Sequence, residues 1–280
     1  MNVLSLFDGM SCGRIALERA GIPVTSYYAA EIDKWAIKIA KKNYPDTIHL
    51  GDVRDVHDFL LPEIDLLIGG SPCQGFSFIG KMLNFEDPRS KLFFEFVRLK
   101  EELKPKWFLL ENVKMKKESQ DIISRYLGVE PIEINSALVS AQNRKRLYWT
   151  NIPFGDLPED KGLVLKDILE SNGTGVVKNR KFYQERNEKS MCLDANYYKG
   201  ADNHGQRTLV EYILSEKEIQ QATLIVEGVK CYRMLTPVEC ERLQTVPDNY
   251  TEGVSNTQRY KMLGNGWTVD VITHIFKGLL

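Results

Sequence analysis

Short β-type runs alternate with amphipathic helical runs through the first half of this 280-residue chain. The β-type runs are aliphatic and a few residues long, whereas the runs between them place apolar residues at helical spacing. We predict strands over residues 3–6, 27–32, 47–50, 64–68, 107–110, 131–137 and 147–150. We predict helices over residues 14–20, 34–42 and 90–103. This alternation favours an α/β fold with an open, mainly parallel sheet and helices on both faces.

The regular alternation weakens after about residue 158, and residues 171–210 are polar, rich in Asn, Gly, Lys, Arg and Tyr, and without periodicity. Helical signals return at Thr236, a suitable N-cap that is followed by Pro237 and by Glu239 for a capping box. A last amphipathic helix begins near residue 268. We therefore expect one domain made of residues 1–160 and 255–280, and a small irregular lobe made of residues 161–254.

Charge and cysteine content exclude several classes of protein. The five cysteines are odd in number and include no CxxC pair, which argues against a disulfide framework and a structural zinc site. The chain has no apolar run of about 18 residues and no signal-peptide pattern, so we expect a cytoplasmic protein without a membrane span. With a net charge of -1, any contact to nucleic acid must come from local basic patches.

Acidic and glycine residues follow three successive predicted strands. Gly9 lies in the loop after the first strand, where a ligand can approach the backbone closely. Glu31 ends the second strand about 20 residues further on, and an acid at that offset suits the two hydroxyls of a ribose. Asp52 follows the third strand and can accept from an adenine amino group. The G-x-G-x-x-G fingerprint is absent, so the sequence predicts a nucleoside cofactor other than NAD or FAD.

A cysteine and an acid follow the next two strands. Cys73 comes after Pro72 in a polar loop, and Glu111 ends the neighbouring strand. A single cysteine is usually a small buried hydrophobe. This cysteine and the carboxylic acid instead both lie at the carboxyl ends of predicted strands of one sheet, which indicates a nucleophile with an acid beside it.

Four segments keep a fixed order along the chain: Ser71-Pro72-Cys73-Gln74-Gly75-Phe76-Ser77, Glu111-Asn112-Val113, Gln142-Asn143-Arg144-Lys145-Arg146 and Gly264-Asn265-Gly266. In order and spacing they resemble the motifs of the DNA cytosine-5 methyltransferases, over almost the whole chain except residues 161–230. Trp267 and residues 91–96 resemble the mammalian de novo methyltransferases and their phage and bacterial relatives. The resemblance implies a Rossmann-like methyltransferase sheet with a target-recognition lobe over residues 161–254.

The resemblance also implies a reaction and its residues. The enzyme transfers a methyl group from S-adenosylmethionine to carbon 5 of a flipped-out cytosine in double-stranded DNA, through a covalent adduct with Cys73. Glu111 contacts the base at nitrogen 3 and the exocyclic amine, and Arg144 and Arg146 hold its carbonyl oxygen and the active-site loop. The implied cofactor residues are Phe7, Asp8, Gly9, Ser11, Gly13, Glu31, Ile32, Asp52, Val53, Pro72, Leu92, Asn265, Gly266 and Trp267.

Basic and aromatic residues in the lobe suit contacts to phosphates and base edges. They are Lys178, Arg180, Lys181, Arg186, Lys189, Tyr183, Tyr197 and Tyr198. Arg233 resembles a residue that anchors this lobe. The setting that we expect is a prokaryotic or phage-infected cell, in which the enzyme either has a cognate restriction endonuclease as a functional partner or is a solitary or phage-borne enzyme.

Two alternatives follow from the same resemblance. A related branch methylates tRNA and carries a Cys-Phe-Thr signature after the acid-bearing strand, whereas residues 114–117 here are Lys-Met-Lys-Lys. Catalytically silent DNA-binding relatives lose the nucleophile or the acid. Because Cys73 and Glu111 are both present, the sequence favours an active DNA enzyme over either alternative.

Overall fold

A computed structural model describes residues 1–71, 88–170, 176–178, 184–200, 206–212 and 231–280. Pro72, Cys73 and the loop that follows them therefore lie outside the described residues. The chain divides into two compact units. Unit 1 contains residues 1–135, 145–158 and 269–280, and unit 2 contains residues 136–144 and 159–268.

Unit 1 is built on a seven-stranded sheet of order β3-β2-β1-β4-β5-β7-β6. Its strands are β1 Asn2–Leu6, β2 Ser26–Ala30, β3 Ile48–Gly51, β4 Leu66–Gly69, β5 Trp107–Val113, β6 Ile132–Asn135 and β7 Lys145–Thr150. The pairs among β1 to β5 are parallel, whereas β7 runs antiparallel to β5 and to β6. The predicted α/β class and mainly parallel sheet are therefore confirmed.

The described helices are α1 Cys12–Ala20, α2 Lys34–Asn43, α3 Pro88–Leu103, α4 Lys117–Leu127, α5 Pro237–Leu243, α6 Asn256–Asn265 and α7 Val269–Phe276. The first four and α7 belong to unit 1 and flank its sheet. Every residue from Val3 to Leu6 is buried, which shows that both faces of β1 are covered. In the described residues, no helix has the length and apolar character that crossing a membrane requires.

Two helices were not predicted. The buried residues of α4 include Ile123 and Leu127 at a spacing of four, a helical signal that the prediction overlooked, beside the polar Ser119 and Ser124. Helix α6 buries Arg259 and Gly264 beside Met262 and Leu263, which interrupts its apolar pattern.

Unit 2 contains a three-stranded antiparallel sheet of order β8-β10-β9, formed by β8 Val176–Lys178, β9 Leu209–Tyr212 and β10 Cys231–Met234. The prediction of a wholly irregular lobe missed this sheet, because its strands are too short to give a periodic signal. The predicted capping box of α5 is confirmed, since the Thr236 side chain accepts from the Glu239 N–H and the Glu239 carboxylate accepts from the Thr236 N–H.

The boundary predicted at residue 255 differs from the observed division, in which residues 255–268 belong to unit 2. The physical reason is close backbone packing around Gly264. A Cβ atom added there would lie 2.2 Å from the carbonyl carbon of Asp194 and 2.3 Å from the backbone nitrogen of Ala195. The boundary predicted near residue 160 agrees with the observed one after Pro158, whereas the membership of residues 136–144 in unit 2 was not predicted.

Candidate active site

The loop after β1 has an unusual backbone. The φ angles of Phe7, Gly9 and Ser11 are 58°, 58° and 65°. They lie in the left-handed region, which residues other than glycine seldom adopt. The buried carboxylate of Asp8 holds this loop. It accepts hydrogen bonds from the Ser11 hydroxyl at 2.6 Å and from the Tyr27 hydroxyl at 2.7 Å. Gly13 follows in the first turn of α1, where it is buried.

The buried position of Asp8 disfavours the ionised form of its carboxyl group. Burial raises the pKa of Asp8 above its ordinary value of 3.8, against the hydrogen bonds from Ser11 and Tyr27, which lower it. The folded protein therefore binds the Asp8 proton more tightly than the unfolded chain does. The stability that this proton contributes is present below pH 3.8 and is lost as the pH rises through the raised pKa.

We expect the replacement Asp8→Asn to remove this pH dependence. The free energy of unfolding of the original chain, relative to that of the variant, should rise as the pH falls through the raised pKa of Asp8, because Asp8 takes up its proton. Urea unfolding of both proteins across that pH range measures the difference. A difference that stays constant with pH would contradict the prediction.

Glu31 joins the ends of β1 and β2. Its Oε2 accepts the Gly9 N–H at 2.8 Å, and its Oε1 accepts the N–H groups of Ile32 and Asp33, both at 2.8 Å. A carboxylate has about four acceptor positions, so Oε2 retains capacity for a ligand hydroxyl. The adjacent Ile32 is 72% exposed.

Asp52 follows β3 and caps a short helical turn over Val53–Asp55. Its Oδ1 accepts the Arg54 N–H at 3.0 Å, and both of its carboxylate oxygens accept from the Arg54 guanidinium. Hydrogen bonds from the Arg54 side chain and backbone lower the pKa of Asp52 to about 2. Asp52 is therefore ionised at neutral pH and can serve as an acceptor. Val53 beside it is buried in the core.

Glu111 and Arg146 form an ion pair between β5 and β7. The Arg146 Nε lies 3.0 Å from the Glu111 Oε1, and the two side chains are 14% and 12% exposed. In the antiparallel register Val113 faces Arg146, so Glu111 reaches Arg146 diagonally across the same face of the sheet. Such a low-exposure pair is screened less than a surface pair. The predicted acid and one predicted arginine are thus brought together.

Asn112, the next residue of β5, holds the chain just before Cys73. Its Nδ2 donates to the Ser71 carbonyl at 3.1 Å and to the Ser71 hydroxyl at 3.2 Å. Ser71 is the last described residue before Pro72 and Cys73. Sequence reasoning named Asn112 only as part of a motif. Its signal was the presence of an amide at the end of a strand that is otherwise apolar over 107–110.

The other predicted site residues are divided between the two units. Leu92 on α3 is half-buried and packs against the core of unit 1. Arg144, Asn265, Gly266 and Trp267 belong to unit 2. The Arg144 guanidinium is 3% exposed and donates to backbone carbonyls at Leu193, Gly264 and Gly266, whereas Asn265 is exposed and Trp267 is half-buried.

The protein family described as C-5 cytosine-specific DNA methylase matches residues 1–126 and 136–280 of this sequence. The chain belongs to this family. It is thus a DNA cytosine-5 methyltransferase, as its motifs implied.

Curated relatives of this methyltransferase include enzymes from bacteria and phage. It is 30% identical to the type II methyltransferase M1.ScrFI of Lactococcus lactis subsp. cremoris, over 99% of this chain and 77% of the relative. It is also 30% identical to the type II methyltransferase M.NlaX of Neisseria lactamica, over 98% and 94% of the two chains. The orphan methyltransferase M.SPRI of Bacillus phage SPR is 37% identical over 64% of this chain and 44% of its own.

Solved structures support the same fold. The methyltransferase EhMeth of Entamoeba histolytica superposes with a TM-score of 0.75 at 20% identity, covering 100% of this chain and 99% of its own. A mutant of Spodoptera frugiperda DNMT2 superposes with a TM-score of 0.72 at 22% identity, covering 99% of each chain. At such identities the likeness concerns the methyltransferase fold.

Two of the lobe residues that were predicted to contact DNA make hydrogen bonds within unit 2 of this methyltransferase. The Lys189 ammonium donates to the carbonyls of Ala137 and Ser140. The Tyr197 ring is 2% exposed, and its hydroxyl donates to the Thr208 carbonyl. Tyr198 and Arg186 are exposed. The side chains of Lys178, Arg180, Lys181 and Tyr183 lie outside the described residues.

The expected anchoring role of Arg233 in the methyltransferase lobe agrees with the structure. Arg233 is 3% exposed, and its two terminal nitrogens each lie 2.7 Å from a carboxylate oxygen of Glu239. Glu239 is fully buried in α5. Because breaking one side of such a buried pair leaves an uncompensated charge, the pair fixes β10 against α5.

We expect Glu111→Gln to lower kcat about 100-fold to 10,000-fold, because the variant removes the carboxyl group to which the motif resemblance assigns proton transfer, together with the charge that pairs with Arg146. The affinity for S-adenosylhomocysteine should stay unchanged. Steady-state methylation and calorimetric titration measure the two effects. The matched control is Glu133→Gln, on the same sheet, because Glu133 is paired with Lys114 at the surface. A Glu111 variant with the activity of the Glu133 variant would contradict the prediction.

Proposed function

We propose that this enzyme methylates carbon 5 of a flipped-out cytosine, within a short sequence of double-stranded DNA, through a covalent adduct with Cys73. The observation that carries the proposal is the low-exposure ion pair of Glu111 with Arg146. It lies on the strand whose next residue, Asn112, holds Ser71 two positions before Cys73. A nucleophile, an acid and a cation are therefore attached to neighbouring strand ends.

The chemistry requires these three groups. Attack of the Cys73 thiolate on carbon 6 forms a carbon–sulfur bond and moves electron density toward nitrogen 3 and the carbonyl oxygen of the base. Glu111 gives a proton to nitrogen 3 and Arg146 donates hydrogen bonds to the carbonyl oxygen, which offsets that charge most effectively in a site with little water. Carbon 5 then has enamine character and takes the methyl group, which leaves S-adenosylhomocysteine as the product. Removal of the carbon 5 proton, for which a water is our choice of base, expels the Cys73 thiolate, and nitrogen 3 returns its proton to Glu111.

The target base must leave the duplex for this attack, because stacking shields carbon 6. Flipping costs on the order of a few kcal/mol, which contacts to the extruded base offset. We assign target recognition to residues 161–254, in which Arg186 and Tyr198 are exposed for contacts with DNA. The type II relatives suggest a cognate restriction endonuclease as a functional partner, in the cytoplasm of a prokaryotic or phage-infected cell.

The cofactor that the family implies is S-adenosylmethionine, which supplies an electrophilic methyl group when bound. The residues after β1 to β3 fit it. Glu31 retains acceptor capacity for a ribose hydroxyl, Asp52 is an ionised acceptor for an adenine amino group, and the exposed Ile32 offers apolar contact to the adenine ring. We include the further residues Phe7, Asp8, Gly9, Ser11, Gly13, Val53, Pro72, Leu92, Asn265, Gly266 and Trp267.

The direct test is transfer of a labelled methyl group from S-adenosylmethionine to double-stranded DNA or to tRNA. We expect label in DNA, recovered as 5-methylcytosine. Bisulfite sequencing of DNA from cells that express the chain then gives the sequence context. Label in tRNA alone would contradict the proposal and favour the RNA branch of the family, whose DNMT2 members share this fold.

A further inference from the structure

The carboxyl end of α6 is held by two side chains from other parts of unit 2. The last carbonyls of any helix lack donors within the helix. Here Gln244 Nε2 donates to the Leu263 carbonyl at 2.6 Å, and Arg144 Nη2 donates to the Gly264 carbonyl at 3.2 Å. The Gly266 carbonyl just beyond the helix accepts from both, at 2.8 Å from Arg144 and 3.2 Å from Gln244. A buried cation at this end also complements the helix dipole.

The other terminal nitrogen of Arg144 holds a second segment. Its Nη1 donates to the Leu193 carbonyl at 2.8 Å and to the Cys192 sulfur at 3.4 Å. A guanidinium has five N–H donors, of which these contacts and those to α6 occupy four. The Arg144 guanidinium therefore donates mainly to backbone carbonyls. Arg146, in contrast, pairs with the acid of the active site.

Gln244 is itself fixed by a buried network. Its Oε1 accepts from Gln142 Nε2 at 2.9 Å and from the Thr268 hydroxyl at 3.0 Å, and the Ser136 hydroxyl donates to Thr268 at 2.8 Å. All four residues are buried. A polar network with its members satisfied in this way is rigid and has a single arrangement. The segment that ends α6 therefore rests on a fixed support.

We propose that Arg144 and Gln244 are positioning residues that hold Asn265, Gly266 and Trp267 in the conformation that binds the cofactor. Arg144 acts on the reaction through this segment and does not touch the target base. The inference rests on the proposed function, which assigns these three residues to the cofactor. It separates the two arginines of one motif: Arg146 serves the base, and Arg144 serves the cofactor.

Two measurements separate these roles. Titration with S-adenosylhomocysteine reports the cofactor site without DNA. Exchange of the carbon 5 hydrogen of cytosine with solvent reports the attack by Cys73 without cofactor, because the adduct takes a solvent proton at carbon 5, loses the original one and then releases the thiolate. We expect Arg144→Lys to raise the Kd for S-adenosylhomocysteine about tenfold or more, since one ammonium cannot replace the planar fork. The exchange rate should stay within about threefold of the original.

The comparison variants are chosen from the same units. Arg146→Lys should lower the exchange rate and leave the Kd unchanged. Arg233→Lys removes an equally buried guanidinium whose described contacts are to Glu239, Glu170 and the Met234 carbonyl rather than to the carbonyls at the end of α6, so its Kd should also stay unchanged. Gln244→Met removes the second donor with little change in volume and should raise the Kd in the same direction as Arg144→Lys.

The outcomes are distinct. If Arg144→Lys lowered exchange as much as Arg146→Lys and left the Kd unchanged, the proposal would be overturned. If Arg144→Lys fails to unfold cooperatively, folded Gln244→Met decides: a raised Kd supports the proposal and an unchanged Kd overturns it. An original chain that neither exchanges the hydrogen nor methylates DNA would instead contradict the proposed function.

Discussion

Methyl transfer is expected to fall by a factor of about 10,000 or more when Cys73 is replaced by alanine, because the variant cannot form the bond to carbon 6. Without that bond, carbon 5 stays part of an aromatic ring and does not attack the methyl group. The variant should still bind S-adenosylhomocysteine with the original affinity, because the Cys73 sulfur is assigned to the reaction with the base and not to cofactor binding. Single-turnover methylation and calorimetric titration measure the two quantities.

A matched control for this variant is Cys240→Ala. Cys240 is fully buried in α5, and burial raises the pKa of its thiol well above the usual range, so it stays protonated and unreactive. We expect this variant to lose some stability and to keep its rate per folded molecule. A covalent complex trapped with DNA that carries 5-fluorocytosine should form with the control and not with Cys73→Ala. Substantial turnover by Cys73→Ala would show that the proposed mechanism is wrong.

Gly264→Ala should cause a large loss of stability. The added methyl group would lie 2.2 Å from the carbonyl carbon of Asp194 and 2.3 Å from its oxygen. These are backbone atoms, so relief requires the two segments to move apart, and such overpacking costs about 3 kcal/mol or more. Urea unfolding measures the free energy, and the displaced segment should also bind S-adenosylhomocysteine more weakly.

Gly128→Ala separates this steric effect from backbone conformation. Gly128 has a φ of 76° and nothing within 4 Å of the position of an added Cβ, so alanine there should cost about 1 kcal/mol for its left-handed backbone alone. Gly264 lies in a helix, and its cost is the contact. Equal losses of stability for the two variants would mean that the segments near Asp194 and Gly264 separate easily.

The sequence predicted the features that depend on periodicity and on strand ends. Glu31 and Asp52 follow parallel strands. Their positions at the carboxyl ends of these strands follow directly from the order of the elements. The ion pair of Glu111 with Arg146 agrees with an acid and a basic motif on neighbouring strands. The local sequence pattern from Thr236 to Glu239 also predicted the capping box of α5.

Features that depend on distant partners were not predictable. Arg144 lies 49 residues from Leu193 and 122 from Gly266, and nothing in the motif indicates that its guanidinium contacts those carbonyls. The pairing of Asp52 with Arg54 is local, but it depends on a rotamer that the sequence does not encode by pattern. The half-buried position of Lys189 and the burial of Tyr197 likewise follow from tertiary packing, which overrides the usual preference of such residues for the surface.

The order in which the segments of unit 1 are synthesised has a consequence for how this protein matures on the ribosome. Helix α7 packs against α1, and Arg19 pairs with Asp270, 251 residues later in the chain, at 2.8 Å. A nascent chain therefore exposes the apolar face of α1 until the residues of unit 2 have been translated. Domains fold during synthesis from the N-terminus onward, so unit 1 cannot complete its packing until α7 has been translated. Chaperone binding during that interval would cover the exposed apolar face of α1.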